Sequence, residues 1–163
     1  MWLATVTLPP MNRKTAAPWL AFLAALRGSM NVFQLGYGAG YGTGTTPLGN
    51  PLGTPVVSTA ANAMATGIST SGWTASSTGL LLSGDLIQIG YRLHMVVDDT
   101  VNSDTNGDAT INIYPSVREA ISANAPIITS NPVGLFRLAD NKRTVNYSPA
   151  QATTLSFQAI EVR

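Results

Sequence analysis

The chain has 163 residues, of which 45% are hydrophobic and only 10% charged, against roughly 25% charged in an ordinary soluble domain. It contains no cysteine, which excludes disulfides, thiolate zinc sites and cysteine nucleophiles and leaves packing, strand pairing and partners to hold the fold. A net charge of +1 is too small for a strong sequence-independent grip on nucleic acid, and no uncharged apolar run reaches the roughly 18 residues that would span a bilayer.

Met1 to Pro10 lacks the basic start of a signal peptide, so the chain reads as made in the cytoplasm. A surface so poor in charge suits either permanent burial in an assembly or a β protein coated with Thr, Ser, Asn and Gly.

In Trp2–Leu8, apolar Trp2, Ala4, Val6 and Leu8 alternate with two threonines and end at Pro9-Pro10, the period of a half-buried strand. A helix follows. Thr15 is placed to cap it, Pro18 to occupy its first turn, and Trp19, Phe22, Leu23 and Leu26 recur at i, i+3, i+4 and i+7 as a core-facing stripe. Gly28 supplies a left-handed stop after Arg27. Asn31–Leu35 then reads as a second strand.

Glycines at 36, 38, 40, 42 and 44 surround Tyr37 and Tyr41, and Thr, Pro and Gly continue to Pro55. No Gly-x-Gly-x-x-Gly register opening a helix is present, so this segment reads as a linker or surface loop rather than a dinucleotide site. Short strands with turn signals follow. Leu86–Ile89, Gly90 and Tyr91–Val96 give one bent strand or a tight hairpin, and Ala109–Tyr114 alternates after the turn signal Asn106-Gly107. A helical turn is expected at Val117–Ile121 and a short strand at Ile127–Thr129. Four or five such strands suggest a small, partly closed barrel.

Leu135–Leu138 and Thr153–Val162 are longer strands. In the second, Leu155, Phe157, Ala159 and Glu161 share one face and Ser156, Gln158, Ile160 and Val162 the other, which argues for cover on both sides near its end. The expected organisation is a discontinuous core of residues 1–46 and 132–163 interrupted by a small inserted β-barrel over residues 50–131.

Charge follows the same division. Residues 50–130 hold six acidic against two basic residues, net −4, and the flanks hold seven basic against two acidic, net +5. The candidate assembly contacts are therefore Arg13, Lys14, Arg137, Lys142 and Arg143 on the basic side, and Asp98, Asp99, Asp104 and Asp108 on the acidic side. The competing reading makes the four aspartates a solvated outward loop.

Little points to catalysis. His94 is the only histidine and reads as a hydrogen-bonded strand residue. No Gly-x-Ser-x-Gly elbow and no Gly-Lys-Ser/Thr loop occurs. Asn102, Asp104 and Asn106 with Gly107 imitate a calcium loop, but Ile113 stands where its bidentate carboxylate belongs. No catalytic residue, metal or cofactor is expected. Arg137, Lys142, Arg143 and Tyr147 are too few for a nucleic-acid groove. Tyr37, Tyr41, Trp73 and Tyr91 keep a carbohydrate-binding β module open.

Two stretches carry a family likeness. Ala17–Gly28 followed by an aromatic strand resembles the helix-and-strand element of distal tail proteins of long-tailed bacteriophages. Gly79–Gly90, Leu93-His94, Asn106–Ile111, Pro115, Val117-Arg118 and Gly134–Leu138 are similar to phage tail-tip proteins in order and spacing. The resemblance implies a mainly β protein, a β-sandwich-like core with one α-helix plus an inserted small β-barrel domain. Its expected role is a virion ring, a homo-oligomeric hexamer, between the tail tube protein and the baseplate or tail-tip hub proteins, with no enzyme activity, no specific nucleic acid and no membrane. It implies no catalytic or cofactor residues, and relatives carry further strand sequence ahead of the element that begins here at Trp2. Head-decoration or fibre-attachment subunits are the alternative virion readings.

Overall fold

The computed structural model of the protein describes residues 1–36, 46–141, 144–147 and 153–162. In chain order the elements are β1 (Leu3–Thr7), α1 (Arg13–Ala25), β2 (Val32–Leu35), β3 (Gly53–Val57), β4 (Gly67–Trp73), β5 (Leu81–Leu82), β6 (Leu86–Ile89) and β7 (Arg92–Val96). There follow β8 (Thr100–Val101), β9 (Ala109–Tyr114), β10 (Ile127–Ile128), β11 (Gly134–Leu138), β12 (Thr144–Tyr147) and β13 (Thr153–Glu161). The protein is mainly β, with a single helix among the described residues. It divides into two compact units, Met1–Leu35 with Leu135–Arg163, and Gly36–Gly134.

The first unit is a five-stranded sheet in the order β1-β13-β11-β2, with β12 also paired to β13. β13 is its axis. Leu3 faces Ile160 and Thr7 faces Ser156 across β1, while Leu138 faces Ala159 across β11. The alternation of β13 sends Leu155, Phe157 and Ala159 to the side where Leu23 and Leu26 pack with Phe33, Leu138 and Phe157. The helix is thus the second layer over this sheet.

Helix α1 begins earlier than its sequence suggests. Asn12, in extended conformation, is the cap, and its Oδ1 accepts hydrogen bonds from the Thr15 amide (2.9 Å) and the Thr15 hydroxyl (3.1 Å). Thr15 is therefore a donor to the cap rather than the cap itself, and Pro18 falls in the second turn, not the first. Its missing N–H leaves the Lys14 carbonyl to solvent on an exposed side. The helix stops through two left-handed residues, Arg27 and Gly28. A Cβ at Gly28 would run into Asn141 Oδ1, which accepts the Ser29 amide at 2.9 Å, so glycine is required there.

The second unit is built on a six-stranded sheet, β10-β6-β7-β9-β4-β3, with the small pair β5-β8 beside it. The sheet curls until its ends nearly meet. Val57 of β3 donates to the Ala125 carbonyl (2.9 Å), its own carbonyl accepts the Asn124 amide (2.7 Å), and Val56 bridges Pro126. Strands β6 and β7 form the tight hairpin, with Ile89 opposite Arg92 and Gly90 in the left-handed region. β9 turns Ile111 and Ile113 inward and Thr110, Asn112 and Tyr114 outward, as its alternation dictates.

Val57, Ile68, Leu81, Ile87, Val96, Ile111, Ile113 and Val117 form one apolar interior. Two polar groups inside it are satisfied. Trp73 Nε1 donates to Thr70 Oγ1 (2.8 Å), and that hydroxyl donates to the Ala109 carbonyl (2.8 Å). The expectation of a helical turn at Val117–Ile121 is not met: the chain only bends at Arg118 and Glu119, and Ile121 pairs with Ala61.

Candidate assembly surface

Strand β1 is an outer strand of the first sheet, and its hydrogen bonds fix which way its backbone points. Leu8 donates to the Leu155 carbonyl and Glu161 to the Trp2 carbonyl. In the antiparallel register of this pair, Trp2, Ala4, Val6 and Leu8 therefore bond to β13, and the N–H and C=O groups of Leu3, Thr5 and Thr7 point to the other edge, which no strand among the described residues pairs. Leu3–Thr7 contains no charge, proline or bulge, the devices that usually blunt an exposed edge.

The sheet face away from the helix carries Leu3, Thr5 and Thr7 from β1, Ser156, Gln158 and Ile160 from β13, and Arg137 from β11. Leu3 is 61% exposed, so this face stands open beside the open edge.

The helix side is also incompletely covered. Trp19, Phe22, Phe33 and Phe157 form a ladder of edge-to-face rings with centroids 6.2, 5.6 and 6.3 Å apart. Its inner end, Phe33 and Phe157, is partly buried. Trp19 is 38% and Phe22 36% exposed, and both line a groove of about 400 Å³ with Val6, Pro18, Phe33, Leu35 and Phe157. The stripe that periodicity assigned to the core is therefore split: Leu23 and Leu26 are buried, while the aromatic half borders a groove. The signal that could have separated them is the seven-residue spacing of Ala16 and Leu23, the two buried positions within the helix.

Arg13 and Lys14 lie exposed in the first turn of α1 and Arg137 on the opposite side of the sheet, so the structure does not gather them into one patch. Lys142, Arg143, Tyr37, Tyr41 and the side chain of Tyr147 lie outside the described residues.

The four aspartates lie in the second unit and do different work. Asp98 accepts hydrogen bonds from both the backbone amide (2.7 Å) and the side-chain amide (2.8 Å) of Asn112. Asp104 Oδ1 accepts the amides of Asn106 and Asp108 (both 2.8 Å), closing its own turn. These bonds, that of Asp108 foremost, hold the Asp104 carboxyl below the usual aspartate range. The Asp99 and Asp108 carboxylates make no bond among the described residues.

A fifth aspartate, which composition placed with the acidic set, is structural. Asp85 is buried and accepts from the amides of Leu48 (2.6 Å), Gly49 (3.1 Å) and Leu82 (2.8 Å), pinning the segment after residue 46 to the turn before β6.

His94 is buried, its Nδ1 2.8 Å from the Pro115 carbonyl. Trp73 is buried with its indole N–H bonded, which leaves it no face for a sugar, whereas Tyr91 is exposed at the β6–β7 turn. Among the described residues no cluster of three metal-ligating side chains occurs, and no helix is long and apolar enough to cross a membrane. No protein-family model matches the chain, and no curated protein matches it.

Proposed function

We propose that the protein is a non-enzymatic structural subunit of a virion, assembling into a homo-oligomeric ring, a hexamer, at the distal end of a phage tail and linking the tail tube to the baseplate or tail-tip hub. The observation that carries the reading is the outer edge of β1. Three residues of outward-directed backbone, Leu3, Thr5 and Thr7, in a strand without a protecting charge, proline or bulge are a template for another strand, and in a chain with 10% charged residues that template suits permanent pairing. Placement in a phage tail rests on the resemblance of Ala17–Gly28 and Gly79–Leu138 to tail-tip proteins.

Two proline substitutions test it. Thr5→Pro removes an amide that points away from β13, so the unit folds and the edge is blocked; Val6→Pro removes an amide that bonds to β13 and disrupts the sheet itself. Native mass measurement should give a multiple of 17.1 kDa for the unmodified protein and 17.1 kDa, less a few mass units, for a folded Thr5→Pro variant. An unmodified chain that stays at 17.1 kDa at high concentration and is missing from purified particles overturns the reading.

A further inference from the structure

The aromatic groove and the unpaired charges identify a contact more specific than edge pairing. On the outer wall of the six-stranded sheet, Met95 lies opposite Tyr114, and Val97 donates to the Asn112 carbonyl at 3.0 Å. Val96 and Ile113, one residue along each strand, point to the interior, so Met95, Val97 and Tyr114 share the outward face. Tyr114 is 58% and Val97 50% exposed. Asp98 and Asp99 follow directly, the first bound to Asn112 and the second unspent. Among the described residues, the side chains of Arg13, Lys14, Arg27 and Arg137 likewise lack an ion pair within the chain.

We propose that the groove beside Trp19 and Phe22 receives the Met95, Val97 and Tyr114 face of a second copy, with Asp99 set against Arg13 and Lys14. The proposal rests on the self-assembly reading above. Three properties match. The groove is walled by aromatic rings, and a tyrosine offers large apolar area at small entropic cost. The cations of the first helical turn, with Lys14 one turn before the groove residue Pro18, and the free carboxylate two residues after Val97 are opposite in sign, which sets register and association rate. Each copy owns one groove and one patch, so the contact is head-to-tail, the kind that closes into a ring when its rotation permits.

The cysteine-free chain allows a direct test by disulfide trapping. Trp19→Cys and Tyr114→Cys are made in separate copies, mixed, assembled and oxidised mildly. A linked dimer at least tenfold more abundant in the mixture than in either variant alone is expected, and Phe22→Cys with Tyr114→Cys should reproduce it if loss of Trp19 disturbs the groove. Tyr114→Ala should raise the concentration for half-assembly at least tenfold in protein that circular dichroism shows to be folded.

Assembly that proceeds without any such link, with Trp19→Cys linking only to itself or to another virion protein, overturns the contact and leaves the ring reading standing. A chain that never associates removes both.

Discussion

The two units solve the same problem of sheet edges in opposite ways. The six-stranded sheet brings β3 back against the segment before β10, so that one terminal strand bonds to the approach of the other through Val57, Ala125 and Asn124. The five-stranded sheet leaves β1 with three residues of unspent backbone and one face bare. Closure also shows in the interiors. The closed sheet surrounds a core that runs from Val57 to Ile127, whereas the buried cluster under the helix is Leu23, Leu26 and Leu138. The lesson is that one chain can carry a self-sufficient unit and one whose burial is incomplete until something else supplies it.

The two units should differ most in their cores. Ile111→Ala, at a fully buried position of the closed sheet, should cost about 3–5 kcal/mol, and Leu23→Ala beside the open groove about 2 kcal/mol, because neighbours there can relax into the vacated space. Chemical denaturation read separately on the two units checks this, and equal losses would say that the helix–sheet unit is as tightly packed as the other. Assembly should protect the helix–sheet unit more than the closed one, since it stabilises whatever it covers.

Asp85→Ala should lower the stability of the closed unit by about 1–2 kcal/mol by leaving the part-buried amides of Leu48, Gly49 and Leu82 without this acceptor. A loss confined to proteolytic sensitivity after residue 46 would instead mean that Asp85 holds only that segment.

The smallest effect concerns pH. The lowered Asp104 pKa means the folded protein binds this proton less readily than the unfolded chain, so its stabilisation is present at neutral pH and fades as pH falls through the lowered value. Asp104→Asn should flatten that acid limb of the stability curve, and an unchanged limb assigns it to other carboxylates.

Much of this architecture was legible where one face of an element meets water and the other does not. β1, β9 and β13 announce themselves by alternation, and α1 by its apolar spacing. Strand β4 was hard to read because Gly67–Trp73 is mostly Ser, Thr and Gly; its inward position is taken by Thr70, whose hydroxyl is satisfied by Ala109 and Trp73, and hydropathy is blind to such pairing. The helix start was misplaced because Asn12 and Thr15 are both good caps and only the backbone angles choose between them.

The candidate surface was less legible. Composition separated the basic and acidic regions, but it could not tell a carboxylate spent on backbone amides, as in Asp85, Asp98 and Asp104, from the free ones of Asp99 and Asp108. The groove was missed because periodicity says which residues share a helix face and not how much sheet that face covers.

The placement of the tryptophans gives the molecule a built-in optical readout. Trp73 is sealed in the closed sheet with its indole N–H bonded to Thr70, while Trp19 stands at the mouth of the groove and Trp2 is half-buried at the start of β1. An indole in contact with water emits further to the red than one in an apolar site. Filling the groove should therefore move the emission of Trp19 to the blue while that of Trp73 holds still, so unlabelled protein would report occupancy of one unit against the unchanged signal of the other.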